Sequence, residues 1–148
     1  MFDKLDKFEE TEKLMKKTFS LKPDHAEALN YLGYSYADRG INLQEALALI
    51  KKAVQLKPNN GYYLDSLGWV YFKLGDKENA LKYLLEAIKY VKDDPIILEH
   101  LGDIYKELGN YKEALQTWQE AMKYHEKEEG LKERLERKIK EVQSLIKN

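Results

Sequence analysis

The sequence predicts an all-α solenoid of stacked helix hairpins, and three observations carry that prediction. A Leu-Gly pair recurs at Leu32-Gly33, Leu67-Gly68 and Leu101-Gly102, at steps of 35 and then 34 residues. Each pair is followed by a tyrosine (Tyr36, Tyr71, Tyr105) and then by a turn glycine (Gly40, Gly75, Gly109). Two alanines then recur at fixed offsets beyond each turn: Ala46 and Ala53, Ala80 and Ala87, Ala114 and Ala121. A period of this length marks a supersecondary unit that cannot bury its apolar faces alone and must stack on copies of itself.

The elements follow in order. Residues 2–22 read as a partial repeat or an amino-terminal helix. Phe8, Thr11, Met15, Thr18 and Leu21 precede Pro23 at the offsets that Ala46, Ile50, Ala53 and Leu56 keep before Pro58. Phe2 and Leu5 then fit the last turn of a preceding helix, and a register kept back to Phe2 reads as a piece of a longer solenoid. Residues 24–58 form the first hairpin, with one extra residue in its turn, Ile41-Asn42-Leu43, expected to bulge it. Residues 61–94 form the second. Leu64, Leu67, Gly68 and Tyr71 share one helical face, Gly75-Asp76 breaks the pattern, and Ala80, Leu81, Leu84, Ala87 and Ile88 restart it. Residues 95–126 form the third, opened by Pro95, which suits a first helical turn. Lys57-Pro58-Asn59-Asn60 and Lys92-Asp93-Asp94-Pro95 are turn chemistry. Residues 129–147 read as a capping helix with Leu131, Leu135, Ile139, Val142, Leu145 and Ile146 on one face. Its other face offers the i to i+4 pairs Glu133–Arg137 and Glu136–Lys140.

These residues resemble the tetratricopeptide repeat family, whose signature is W-x2-L-G-x2-Y, then A-x3-F, then P. The matches are Leu29-x2-Leu32-Gly33-x2-Tyr36 with Ala46-x3-Ile50 and Pro58, Leu64-x2-Leu67-Gly68-x2-Tyr71 with Ala80-x3-Leu84, and Leu98-x2-Leu101-Gly102-x2-Tyr105 with Ala114-x3-Trp118. Leucine replaces the leading tryptophan in all three copies, and the second proline is displaced to Pro95. The resemblance implies a right-handed superhelical stack and a protein or peptide ligand held along the inner wall; no nucleophile with its base and no phosphate-cradling glycine loop is found in the sequence, so no catalysis is expected. The phrasing around both Leu-Gly-Tyr and Leu-Gly-Trp is also similar to the carboxy-terminal repeats of long bacterial proteins of this family. Some of those are lipoprotein adaptors; this chain has no lipobox cysteine. The resemblance thus leaves a cytoplasmic location as the default and a periplasmic one if the chain is part of such a protein.

On the inner wall, the stripe beside the core-facing residues gives Asn30, Tyr34, Ala37 and Asp38 in the first copy. The second copy gives Tyr62, Asp65, Trp69, Phe72 and Lys73, and the third Ile96, Glu99, Asp103, Lys106 and Glu107. Tyr34, Tyr62, Trp69 and Phe72 are expected to form an aromatic patch, the kind of surface that anchors partners, unless Trp69 and Phe72 wedge between first helices as packing. With Glu27, the stripe holds six carboxylates against Lys73 and Lys106. A partner with apolar anchors and a basic residue suits that field. Where some family members grip a terminal carboxylate with Lys and Asn, this chain has Asn30, Asp65, Glu99, Tyr34, Trp69 and Asp103, which disfavours an acidic-tail clamp. Homo-oligomerisation is the alternative, motivated by the truncated first repeat and the amphipathic last helix.

Composition closes off other classes. A formal net charge of −1 over 148 residues disfavours nucleic-acid binding, which needs cations to displace phosphate counterions. The absence of cysteine excludes disulfides and thiolate metal sites. No apolar run approaches the ~20 residues of a membrane span, and MFDKLDKFEE lacks a signal-peptide core. The abundant Lys and Glu point toward a thermophilic source. No cofactor or metal is expected. His25, His100 and His125 lie in different elements, and His100 with Asp103 gives only two ligands where a catalytic zinc needs three.

Overall fold

A computed structural model describes residues 4–147, and among these every regular element is helical. The helices are α1 (Lys4–Leu21), α2 (Ala26–Arg39), α3 (Leu43–Leu56), α4 (Gly61–Lys73), α5 (Lys77–Tyr90), α6 (Pro95–Glu107), α7 (Tyr111–Met122) and α8 (Leu131–Lys147). A single 3-10 turn, His125–Lys127, precedes α8. Within a hairpin α2 packs on α3, α4 on α5 and α6 on α7; between hairpins α3 meets α4, α5 meets α6 and α7 meets α8.

Short polar residues set the boundaries. Asn60 accepts from the backbone N–H groups of Tyr62 and Tyr63. Asp94 does the same for Ile96 and Ile97, and Asp76 for Asn79, so each satisfies donors that a helix start leaves orphaned. At the close of α4, Gly75 takes φ +89°, and its N–H and that of Asp76 reach back to Phe72 and Tyr71. The extra residue of the first turn produces a left-handed Asn42, φ 48°, at the start of α3. Asparagine is among the residues that tolerate this conformation best.

The Leu-Gly pairs do what their spacing implies. Leu32, Leu67 and Leu101 are buried. A Cβ on Gly68 would run into the Leu84 side chain and lie 3.0 Å from the Ala80 carbonyl, and one on Gly102 would run into the Trp118 indole. Glycine therefore lets each second helix seat against its first. On α8 the corresponding position, one repeat beyond Leu101-Gly102, is Leu135-Glu136.

Three expectations change at the ends. Leu5 belongs to α1 itself, since no turn residue interrupts the helix from Lys4 onward; Phe2 lies outside the described residues. Phe8, Met15 and Phe19 do pack on the first hairpin, and the Tyr36 hydroxyl donates to the Glu12 carboxylate across α1 and α2. Leu21, however, is 78% exposed, and its repeat counterpart Leu56 is exposed as well, at 39%. On α8, Leu131, Leu135 and Val142 are buried, while Leu145 and Ile146 are exposed: the helix outruns the hairpin it rests on.

Candidate functional site

The first helices α2, α4 and α6, together with α8, line two adjoining clefts. One, of about 460 Å³, is bordered by Tyr34 and Asp38 of α2, Trp69 of α4, Ile96, Glu99, His100 and Asp103 of α6, and Arg134 and Lys138 of α8, with Glu128 at its edge. The other, of about 430 Å³, is bordered by Trp69, Phe72, Lys73, Lys106, Glu107, Trp118, Arg137 and Glu141 among others. Both share Trp69, Asp103 and Lys138.

Trp69 is the hinge of this surface, but it is not an exposed aromatic: it is only 6% exposed. Its indole stacks with Phe72, at 5.0 Å between ring centres, and with His100, at 3.8 Å. Trp69 and Phe72 of the expected patch are thus stacked, and Tyr34 is tilted against the His100 ring. Tyr62, 52% exposed, borders neither cleft, nor does Asn30, whose carboxamide oxygen is buried without a partner among the described residues. Ala37 is fully buried.

His100 is the residue that reading the stripe missed. Its Nδ1 donates to Asp65 at 2.9 Å and its Nε2 lies 3.5 Å from the Tyr34 hydroxyl, joining α4, α6 and α2. Burial alone would lower its pKa. The Asp65 carboxylate, by charge and by hydrogen bond, outweighs that with help from Asp103 and Glu99, so the ring titrates above its ordinary 6.5. The signal was present in the sequence as a one-repeat offset, 35 residues from Asp65.

A folded-state pKa above the unfolded one stabilises the fold through the protonated form. That contribution is complete below the ordinary histidine value and is lost as pH rises through the higher folded value. We therefore expect the urea midpoint to decline across that window. Replacing His100 by Gln should remove this pH dependence, and an equally sloped profile in the variant would locate it elsewhere.

The acidic stripe is also not bare. Asp65 is tied to His100, and Glu99, 4% exposed, accepts Arg134 Nε at 2.6 Å, Arg134 Nη2 at 2.7 Å and Lys138 Nζ at 2.8 Å. Burial would raise the Glu99 pKa; the Arg134 and Lys138 hydrogen bonds overcome it and hold the carboxyl below the usual range. Asp103 accepts Lys138 at 2.9 Å, yet burial leaves its pKa raised. Lys106 pairs with Glu141 at 2.7 Å. Each of these α6–α8 pairs except Glu99–Lys138 repeats the 35-residue offset of Asp65–His100, so α8 takes the place of a fourth first helix. The cations of α8 were not placed in the groove because α8 has no Leu-Gly pair to set its register.

Residues 39–121 match the family model of anaphase-promoting complex (cyclosome) subunit 3, and residues 3–61 match a tetratricopeptide repeat model. No curated protein matches the chain. Among solved structures the chain is similar to MamA, with a TM-score of 0.68 and 21% identity over 97% of this chain and 95% of that one. It is also similar to PcrH in complex with the chaperone binding region of PopD (TM-score 0.72, 21% identity, 83% and 94% covered). A further neighbour is the first such domain of Spaghetti (RPAP3) bound to the HSP90 peptide SRMEEVD (0.72, 15%, 83% and 94%). At these identities the likeness is one of fold. Sequence signature, hairpin stacking and family models agree: the chain belongs to the tetratricopeptide repeat family.

Proposed function

We propose that the chain is a non-catalytic protein-interaction scaffold that holds a peptide segment against α2, α4, α6 and α8. The observation that carries this reading is the cleft of about 460 Å³ beside the Trp69–His100 stack. Asp38 stands on its wall exposed, with no cation within ion-pair distance among the described residues. Two solved neighbours, PcrH and RPAP3, hold a partner region or peptide on the same fold, which supports a peptide ligand here. The partner that suits the cleft has an apolar residue to lie along the half-buried Tyr34 and Ile96 and a Lys or Arg to meet Asp38.

Selection from a displayed peptide library tests this. Recovered sequences should pair a basic residue with apolar neighbours, and Asp38→Lys should weaken them at least tenfold without changing the fold. Ligands whose chemical-shift footprint lies on α3, α5 and α7 would overturn it.

Self-association is a second reading, favoured by one observation. Leu14 and Leu21 of α1 are exposed, and α1 and α2 also border a cleft of about 420 Å³ lined by Thr11, Met15, His25, Glu27, Ala28 and Tyr31. Light scattering that stays monomeric up to high concentration would dismiss it.

A further inference from the structure

The two adjoining clefts carry opposite unpaired charge. In the first, Asp38 has no cation partner among the described residues and Glu128 shares Arg134, which is already committed to Glu99. In the second, Lys106 is taken by Glu141 and Lys138 by Glu99 and Asp103. That leaves Lys73 and Arg137 with no carboxylate partner among the described residues, against the single unpaired carboxylate Glu107. Lys73 Nζ rests 5.0 Å from the centre of the Trp69 ring, a placement that keeps a cation at the edge of an apolar floor. Phe72 extends that floor. Trp69 therefore divides an acidic cleft from a basic one, and the cations of the second come from two elements, α4 and α8, that only the fold brings together.

From this we infer that the groove reads charge order. Its ligand is a peptide segment bearing a basic side chain at the Asp38 end and an acidic side chain at the Lys73–Arg137 end, with an apolar residue between them against the half-buried rings of Tyr34 and Phe72. The inference rests on the peptide-binding reading above and adds the acidic subsite and the polarity. Opposed charges at the two ends of one groove favour a single ligand orientation, because the reversed segment places like charges together.

The test uses fluorescein-labelled synthetic octapeptides, acetylated and amidated so that no terminal charge contributes. One has Lys near one end, Leu-Phe in the centre and Glu near the other. Companions replace Glu by Gln or Lys by Gln, and each is made in both chain directions. By fluorescence anisotropy at low salt, the doubly charged peptide should bind at least fivefold more tightly than either companion in one direction only. Lys73→Glu combined with Arg137→Glu, both at exposed positions, should abolish the advantage of Glu over Gln and leave the advantage of Lys. Asp38→Lys should do the converse. If the Lys-only peptide binds as tightly as the doubly charged one, the groove stands as a peptide site and the charge order is wrong. If none of the peptides binds, both fail. A Glu advantage that survives the double variant would also overturn the assignment to Lys73 and Arg137.

Discussion

Replacing Trp118 by alanine should cost about 4 kcal/mol, within the range for emptying a large buried aromatic site. Trp118 is the largest fully buried side chain, 1% exposed. It belongs to the cluster that joins α6, α7 and α8 through Leu98, Ala114, Leu131, Leu135 and Val142. Its indole N–H donates to the Glu99 carbonyl at 3.2 Å, and its ring fills the space that Gly102 leaves open. Truncation removes the packing and the donor together and leaves Gly102 facing an emptied site. With total stabilities of small domains about 5–15 kcal/mol, the loss should bring the α7–α8 end close to melting at ambient temperature. Urea titration followed by circular dichroism measures it. A cost below about 1.5 kcal/mol would mean that this layer is not the anchor of the carboxy-terminal end.

Arg134→Ala should cost about 2 kcal/mol, below the range for breaking a fully buried ion pair from one side, because the Arg134 side chain is 35% exposed. The cost arises at Glu99 rather than at the arginine. A carboxylate 4% exposed loses two of its three charge-assisted hydrogen bonds and keeps only Lys138. Two further measurements separate this from a generic surface effect. The Glu99 carboxyl should titrate higher in the variant, and adding Glu99→Gln should recover part of the loss by removing the uncompensated charge. Arg134→Lys should rescue incompletely, since a lysine cannot supply the two-pronged contact. A cost under about 1 kcal/mol would place the pair among ordinary exposed salt bridges.

The parts of the molecule legible in the sequence are those written locally. Glycine turns, the Asn60, Asp76 and Asp94 starts and the Leu-Gly packing positions each depend on a few neighbouring residues, and the repeats state the turns and the Leu-Gly positions three times. Depth was harder. Helical angle puts Trp69 on the inner stripe but says nothing of how far α4 and α6 close over it, so the sequence leaves open an exposed patch or packing between first helices, and the 6% exposure of Trp69 fits the packing. Charge was hardest. Tallying carboxylates along α2, α4 and α6 left out Arg134 and Lys138, whose partners lie 35 residues or more away. The i to i+4 logic applied to α8 looked along the helix, whereas its principal ion pairs run across to α6.

Glu136 has a bearing on engineering. At the equivalent place in each full repeat a residue without a side chain admits the following helix; α8 carries a carboxylate arm there instead. An array lengthened by grafting another second helix onto α8 would meet that arm as a steric and electrostatic bar. Lengthening it would therefore start by clearing position 136.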